Sequence, residues 1–272
     1  MIRVAILGCG YTGVRVARRI ASSGIAAGIV TTNRSTFDLW RGDSIDIPDG
    51  ALVLHSIPLL QRDGEWARTM PRLGPMLAAR AARVVYLSTT GIYGAAHLVD
   101  ETTPPAPRVP RERLRVEEED DVLAGPWKAL VLRPAAIYGP GRGVHVSLRE
   151  GKHRMLGDGS NFISRIHVDD LAAIAEKALF SNLTGAYPVA DDEPCTAAEI
   201  TAFTCGLLGI PAPPPSGKLP DADTRGADRK VDGRAIRRLL GVDLRFPGYR
   251  SGLPAAIAAE REGVNSSLPP SS

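Results

Sequence analysis

Short apolar runs alternate along this chain with stretches whose apolar residues recur at helical spacing. Arg3–Leu7 (RVAIL) is an apolar run ending in glycines, which predicts a buried strand. Val14, Ala17, Ile20 and Ala21 then recur on one helical face, and Gly24 predicts the stop. Residues 25–31 predict a second strand, and residues 51–57 a third that Pro58 halts. Residues 65–82 read as a helix interrupted near Pro71 and Pro75, leading into a strand over 83–88. Residues 112–123 read as a helix, with apolar residues at 114, 116, 122 and 123 and a strongly acidic end. Residues 129–132 predict a strand and residues 168–179 a helix. Strands alternating with helices imply an α/β fold, a doubly wound parallel sheet covered on both faces.

The pattern weakens after residue 140. Residues 141–165 are rich in Gly, Arg and polar side chains, and residues 185–262 mix short helices with proline-rich connections. The expected division is a dinucleotide-binding domain over 1–143 and 166–184, with a small C-terminal substrate lobe from 144–165 and 185–262. Residues 263–272 read as a disordered tail.

Composition narrows the classes. The 272 residues are 44% hydrophobic and 23% charged, with room for one large domain or a domain plus a lobe. A net charge of +3 makes no case for a nucleic-acid or membrane partner. The basic residues at 225, 229, 230, 234, 237 and 238 read as a solvated helix face. Three cysteines without C-x-x-C spacing argue against a disulfide framework and against a zinc site, so no metal is expected. The opening MIRVAILGCG lacks the order of a signal peptide, and no apolar run reaches membrane-spanning length, so a soluble cytoplasmic protein is expected.

Gly8-Cys9-Gly10-Tyr11-Thr12-Gly13 is G-x-G-x-x-G between a predicted strand and a predicted helix, the context in which the motif marks a dinucleotide. Gly8 allows the tight turn, Gly10 the approach of a pyrophosphate, and Gly13 close helix–strand packing. The helix start offers free N–H groups and a positive dipole end to phosphate. The second strand ends Thr31-Thr32-Asn33-Arg34, with no Asp or Glu for a ribose 2′-OH. Thr32, Asn33 and Arg34 suit a 2′-phosphate instead, which favours NADP while leaving NAD open.

GCGYTG, STTGIYG, RPAAIYGPG and SRIHVDDLA, in that order, resemble an atypical or extended short-chain dehydrogenase/reductase of the NAD-dependent epimerase/dehydratase group. The ending RKVDGRAIRRLLGVDLRFPGYRSGL is similar to that of its small nucleoside-sugar-epimerase-like members. The resemblance runs from residue 1 to about 260 and implies a Rossmann-type sheet with a small substrate lobe. It implies that Thr89 is the catalytic hydroxyl, with Tyr93 completing the motif, and that Ser88 lies at the cofactor. His55, Ser56, Ile57 and Pro58 would run beside the nicotinamide ribose, and Pro134 would pack near the carboxamide. Arg142, Arg165 and His167 would face substrate, and Asp169 would cap a helix.

The group's Tyr-x-x-x-Lys dyad has no counterpart. No tyrosine lies between Tyr93 and Tyr138, and the first lysine is Lys128. The best register places Val109 at the tyrosine and Arg113 at the lysine, where a guanidinium still offers charge to the cofactor but no titratable proton. Three readings stay open: an NADP-dependent reductase- or epimerase-like enzyme with another proton donor (Tyr93, His97, His145 or His167), acting on a small molecule such as a nucleotide sugar; a non-catalytic NAD(P)-binding sensor; or a pocket for another ligand. Oligomeric state is not legible.

Overall fold

The structure, a computed structural model, describes residues 2–215 and 227–262. The tail expected at 263–272 and the basic residue at 225 lie outside the described residues. A six-stranded sheet runs in the order Gly185–Val189, Lys128–Pro134, Ala81–Leu87, Ala51–His55, Arg3–Leu7, Gly28–Thr32, with every neighbouring pair parallel. Parallel pairing puts all six C-terminal ends on one edge, where a doubly wound sheet holds its ligand. Val4, Ile6, Leu54, Val85 and Leu130 pack with the first helix (Gly13–Ser23) and the Val168–Leu179 helix on one face. Leu7, Val53, Val84, Tyr86 and Val131 pack with the Met70–Ala78 helix on the other. Burial on both faces explains why these strands read as unbroken apolar runs.

Three expectations change. Glu65–Ala67 is not helical; it pairs antiparallel with Leu60–Arg62 around Asp63 (φ 52°) and Gly64 (φ 85°). Asp-Gly is a hairpin turn signal, and it overrides the helical spacing that follows it. The second strand starts at Gly28 rather than at residue 25. Gly185–Val189, expected in the lobe, is the sheet's edge strand, held by parallel pairing to Lys128–Pro134.

The acidic helix, Pro110–Leu123, buries Arg115, Glu118, Glu119 and Val122. That spacing is i, i+3, i+4, i+7, so the inward stripe of this helix is largely polar. The lobe is built from short pairs. Ala136–Tyr138 runs parallel to Arg165–His167, Phe162–Ile163 pairs with Cys195–Thr196, and Lys230–Val231 pairs with Leu98–Val99. The Ala197–Leu208 helix carries a full capping box, with Thr196 and Glu199 exchanging bonds. The closing helix, Tyr249–Arg261, buries Tyr249 and Leu253 against Tyr138. No helix among the described residues is long and apolar enough to cross a membrane.

Candidate active site

Glycine chemistry shapes the crevice at the strand ends. Gly8 has φ 87°, and a Cβ there would lie 2.8 Å from the Ile57 nitrogen and the Ser56 carbonyl carbon. A Cβ on Gly13 would lie 2.7 Å from the Gly8 oxygen. Gly10 differs: its Cβ would meet nothing nearer than the Gly8 oxygen at 4.0 Å. Gly8 and Gly13 therefore satisfy the fold, whereas Gly10 leaves open space above the loop.

Thr32 braces this loop. Its hydroxyl accepts the Gly8 N–H at 3.1 Å and its carbonyl accepts the Cys9 N–H at 2.5 Å. Asn33 turns its Oδ1 to the N–H groups of Ser35 and Thr36, at 2.8 and 3.2 Å. Of the three residues expected to meet a 2′-phosphate, Arg34 alone is exposed and has no side-chain partner among the described residues.

The third strand delivers His55 into the interior. Its Nδ1 accepts the Ile57 N–H at 3.4 Å. Nε2 lies 2.8 Å from the Thr69 hydroxyl and 3.2 Å from Glu118 Oε1, and Thr69 donates to Glu118 as well. Burial opposes the Glu118 charge, but the bonds from His55, Thr69 and the Met70 N–H prevail and hold its carboxyl below the usual carboxylate range. This network anchors the Ser56–Ile57 backbone, and the Ser56 N–H donates to the Leu7 carbonyl at 2.8 Å. Ser56 and Ile57 are half-buried and Pro58 is exposed.

At the next strand end, Ser88 is buried and its Oγ has no partner among the described residues. Thr89 is half-buried; its Oγ1 accepts the Gly91 N–H at 3.1 Å and caps the short turn Thr90–Tyr93, leaving the hydroxyl proton free. The Arg229 guanidinium holds this segment from the lobe, donating to the carbonyls of Thr90 (2.7 Å), Gly94 and Ala96 (3.2 Å). Tyr93 has the opposite placement. It is fully buried, its hydroxyl accepts from Arg133 at 3.0 Å, and burial pushes its pKa up. Arg133 in turn clasps Glu119 at 2.8 and 3.0 Å. Tyr93 is thus committed to the core and is not presented to a substrate. Pro134 is buried at its strand end. Arg113 is exposed and donates to the Arg108 carbonyl at 3.3 Å, while Val109 precedes the first turn of the acidic helix.

The His167 segment also differs from expectation. His167, not Asp169, caps the Val168–Leu179 helix: its Nδ1 accepts the Asp169 N–H at 3.2 Å. Asp169 is drawn outward to Arg15 at 3.1 Å. The His167 ring packs between Tyr138 and Phe246, and burial pulls its pKa down to about 4, so it is neutral near pH 7. Of the other histidines weighed as proton donors, His145 is buried against Glu260 at 2.9 Å and His97 faces Asp228 at 3.1 Å.

Arg165 is buried, with Nη1 on the Ile163 carbonyl (2.8 Å) and the Cys195 sulfur (3.1 Å). It lines a cavity of about 360 Å³ with Tyr138, Ser147, Lys152, His153 and Arg154, and no carboxylate is among the lining residues. A larger hollow of about 810 Å³ lies between Leu98–Asp100 and residues 230–243, away from the glycine loop. Its bases are largely neutralised by Asp192 on Arg237 and Asp232 on Arg234. No group of three or more His, Cys, Asp or Glu residues able to hold a metal occurs among the described residues.

Sequence patterns concealed Glu118, Glu119 and Asp191. The first two sat in an acidic run whose i, i+3, i+4 spacing with Arg115 was the available signal. Asp191 follows the edge strand, and its Oδ2 is buried without a partner. Burial pushes its pKa up to about 8 against the relief from Arg165. The folded protein therefore keeps a proton that the unfolded chain releases above about pH 4, and stability falls as pH rises from about 4 to about 8. Asp191→Asn cannot ionise. It is expected to match the wild type near pH 4 and to exceed it increasingly as pH rises toward 8, read by urea unfolding across that range.

Residues 65–187 match the family model described as the NAD dependent epimerase/dehydratase family. The matched segment, a little under half of the chain, carries that family's domain. A conserved protein of unknown function from Silicibacter pomeroyi DSS shares 30% identity, with a TM-score of 0.77 over 95% of this chain and 99% of that one. The 3-diazoavenalumate denitrifying reductase of a Streptomyces species is 35% identical over 107 residues, and the match spans only 37% of this chain and 35% of the reductase. MoeE5, solved with UDP-glucose and NAD, has a TM-score of 0.75 at 20% identity over 97% of this chain and all of that one, which speaks for a shared fold.

Proposed function

We propose that the protein binds NADP(H) over the glycine loop and acts on a small phosphate-bearing molecule, with a nucleotide sugar the best fit, as a reductase- or epimerase-like oxidoreductase. The observation that carries this reading is the carboxylate-free cavity around Arg165, Lys152, His153 and Arg154, beside the strand that continues from Pro134. Arg165 and Arg154 reach this cavity with no carboxylate ion pair among the described residues, and such cations in a concave site suit a phosphate or diphosphate. The MoeE5 structure, with UDP-glucose and NAD together, supports a nucleotide-sugar assignment.

A bound nicotinamide dinucleotide supplies hydride exchange with a substrate carbon. The chain's own residues bind and orient. The helix start at Gly13 offers N–H groups to the pyrophosphate, Arg34 meets the 2′-phosphate, and the Ser88 and Ser56 ends line the nicotinamide side. The free Thr89 proton donates to a substrate carbonyl or hydroxyl oxygen. Val109 and Arg113 stand where the family's tyrosine and lysine are expected, so proton transfer falls to water or to a residue outside the dyad. That substitution also favours a second reading, a dinucleotide sensor without turnover.

Calorimetric titration with NADPH and NADH tests the assignment. NADPH is expected to bind more tightly, and Arg34→Ala to weaken NADPH about tenfold while leaving NADH unchanged. Failure of both cofactors to bind would refute both readings; a preference for NADH would refute the role of Arg34. Turnover of NADPH with a panel of nucleotide sugars separates enzyme from sensor.

A further inference from the structure

Arg142, expected from sequence to face substrate, has a placement that points elsewhere. Its guanidinium carbon lies 5.4 Å from the centroid of the Tyr11 ring, and Tyr11 is the residue between Gly10 and Thr12 in the glycine loop. Arg15 also lies against that ring, at 4.4 Å. The two cations differ in availability. Arg15 is committed, with Nε on Asp169 at 3.1 Å and Nη1 on the Tyr11 carbonyl at 2.7 Å. Arg142 is exposed and makes no ion pair among the described residues.

The loop that carries Arg142 is built to stay there. Gly139 and Arg142 exchange backbone bonds of 2.9 and 3.0 Å, closing a tight turn. The Tyr11 hydroxyl donates to the Pro140 carbonyl at 3.0 Å, tying turn and glycine loop together across 129 residues of chain. Gly139 has φ 151°, and a Cβ there would lie 2.9 Å from the Tyr11 oxygen. Glu260 of the closing helix accepts the Gly141 N–H at 2.6 Å, and it bonds His145 at 2.9 Å and also Arg149. The amides of Tyr11 and Thr12 find no acceptor among the described residues.

We propose that Arg142 is a ligand of the dinucleotide pyrophosphate, closing on it from the side opposite the glycine loop, with Tyr11 as the post that places the guanidinium. The inference rests on the dinucleotide reading and extends it. The Tyr11 ring keeps the Arg142 guanidinium beside the glycine loop while its N–H donors stay without an ion-pair partner among the described residues, and a guanidinium so placed can grip a phosphate. The pyrophosphate would thus be held by backbone donors below and a side-chain cation above, contributed by a loop outside the G-x-G-x-x-G motif.

The test is calorimetric titration of wild type, Arg142→Ala, Arg142→Lys and Tyr11→Phe with NADPH, ADP-ribose and AMP. Arg142→Ala is expected to weaken ADP-ribose and NADPH each about tenfold and to leave AMP, which lacks the pyrophosphate, unchanged. Arg142→Lys keeps the charge without the planar guanidinium fork and is expected to fall between. Tyr11→Phe keeps the ring but loses the Pro140 bond, and is expected to lose less than Arg142→Ala. Melting curves check that the exposed Arg142 variants fold. Unchanged ADP-ribose affinity in Arg142→Ala overturns the proposal and leaves the dinucleotide site standing. Failure of wild type to bind either dinucleotide probe overturns both together. Equal weakening of AMP also overturns it, because the effect would then not follow the pyrophosphate.

Discussion

Glu119→Ala is expected to lower the unfolding free energy by about 3–5 kcal/mol, because it strands a buried guanidinium. Arg133 is 7% exposed, and Glu119 supplies its carboxylate partner at 2.8 Å. Without Glu119, Arg133 keeps a bond to the Tyr93 hydroxyl, which is neutral and which burial holds in its protonated form. Urea unfolding followed by circular dichroism measures the loss. Glu117→Ala, on the exposed side of the same helix, is the control and should change stability by about 0.5 kcal/mol or less. The double variant Glu119→Ala/Arg133→Met removes both charges and should recover much of the deficit. If Glu119→Ala unfolds with the wild-type midpoint, the pair is not a structural anchor, and the account of how Tyr93 is fixed below the Thr89 segment fails with it.

Gly10→Ala is expected to weaken NADPH binding about 100-fold while leaving the stability of the free protein within about 0.5 kcal/mol. The protein itself has room for this methyl group, since its nearest neighbour would be 4.0 Å away. On the proposed dinucleotide reading, the space it would fill is the approach of a pyrophosphate to the loop. Gly13→Ala gives the contrast: its Cβ would sit 2.7 Å from the Gly8 oxygen and 3.2 Å from Ile6 Cγ2, so helix and strand must separate and both stability and binding should drop. Titration and thermal melting on the two variants separate a glycine required by ligand from a glycine required by fold. Full NADPH affinity in Gly10→Ala would argue that no phosphate lies against the loop.

Several readings from the linear pattern agree with the fold because they rest on short-range physics. The first helix ends at Gly24 with φ 65°, the left-handed conformation that favours glycine. The Val168–Leu179 helix is observed at the bounds expected for it, since apolar periodicity and capping are local. The acidic helix follows a different rule. Its inner stripe carries Arg115, Glu118 and Glu119, and a hydrophobicity pattern cannot distinguish a paired core carboxylate from a solvated one. Similarly, nothing near His167 in sequence indicates that it, rather than Asp169, accepts the helix N–H; Arg15, 154 residues away, claims the aspartate.

By itself, then, the sequence determined the alternation of strands and helices, the glycine loop at the first strand end, and the lack of any tyrosine between Tyr93 and Tyr138 or any lysine before Lys128. These are properties of neighbouring residues: periodicity sets which face is buried, and glycine sets which turns are open. Tertiary structure decided which polar groups are free to act. It committed Tyr93 to Arg133, turned Thr32 into a brace, neutralised His167 by burial, and left Arg34, Arg142 and the Thr89 proton available. The physical reason is that a side chain's availability depends on its partners and its solvation, and both are supplied by segments that only folding brings together.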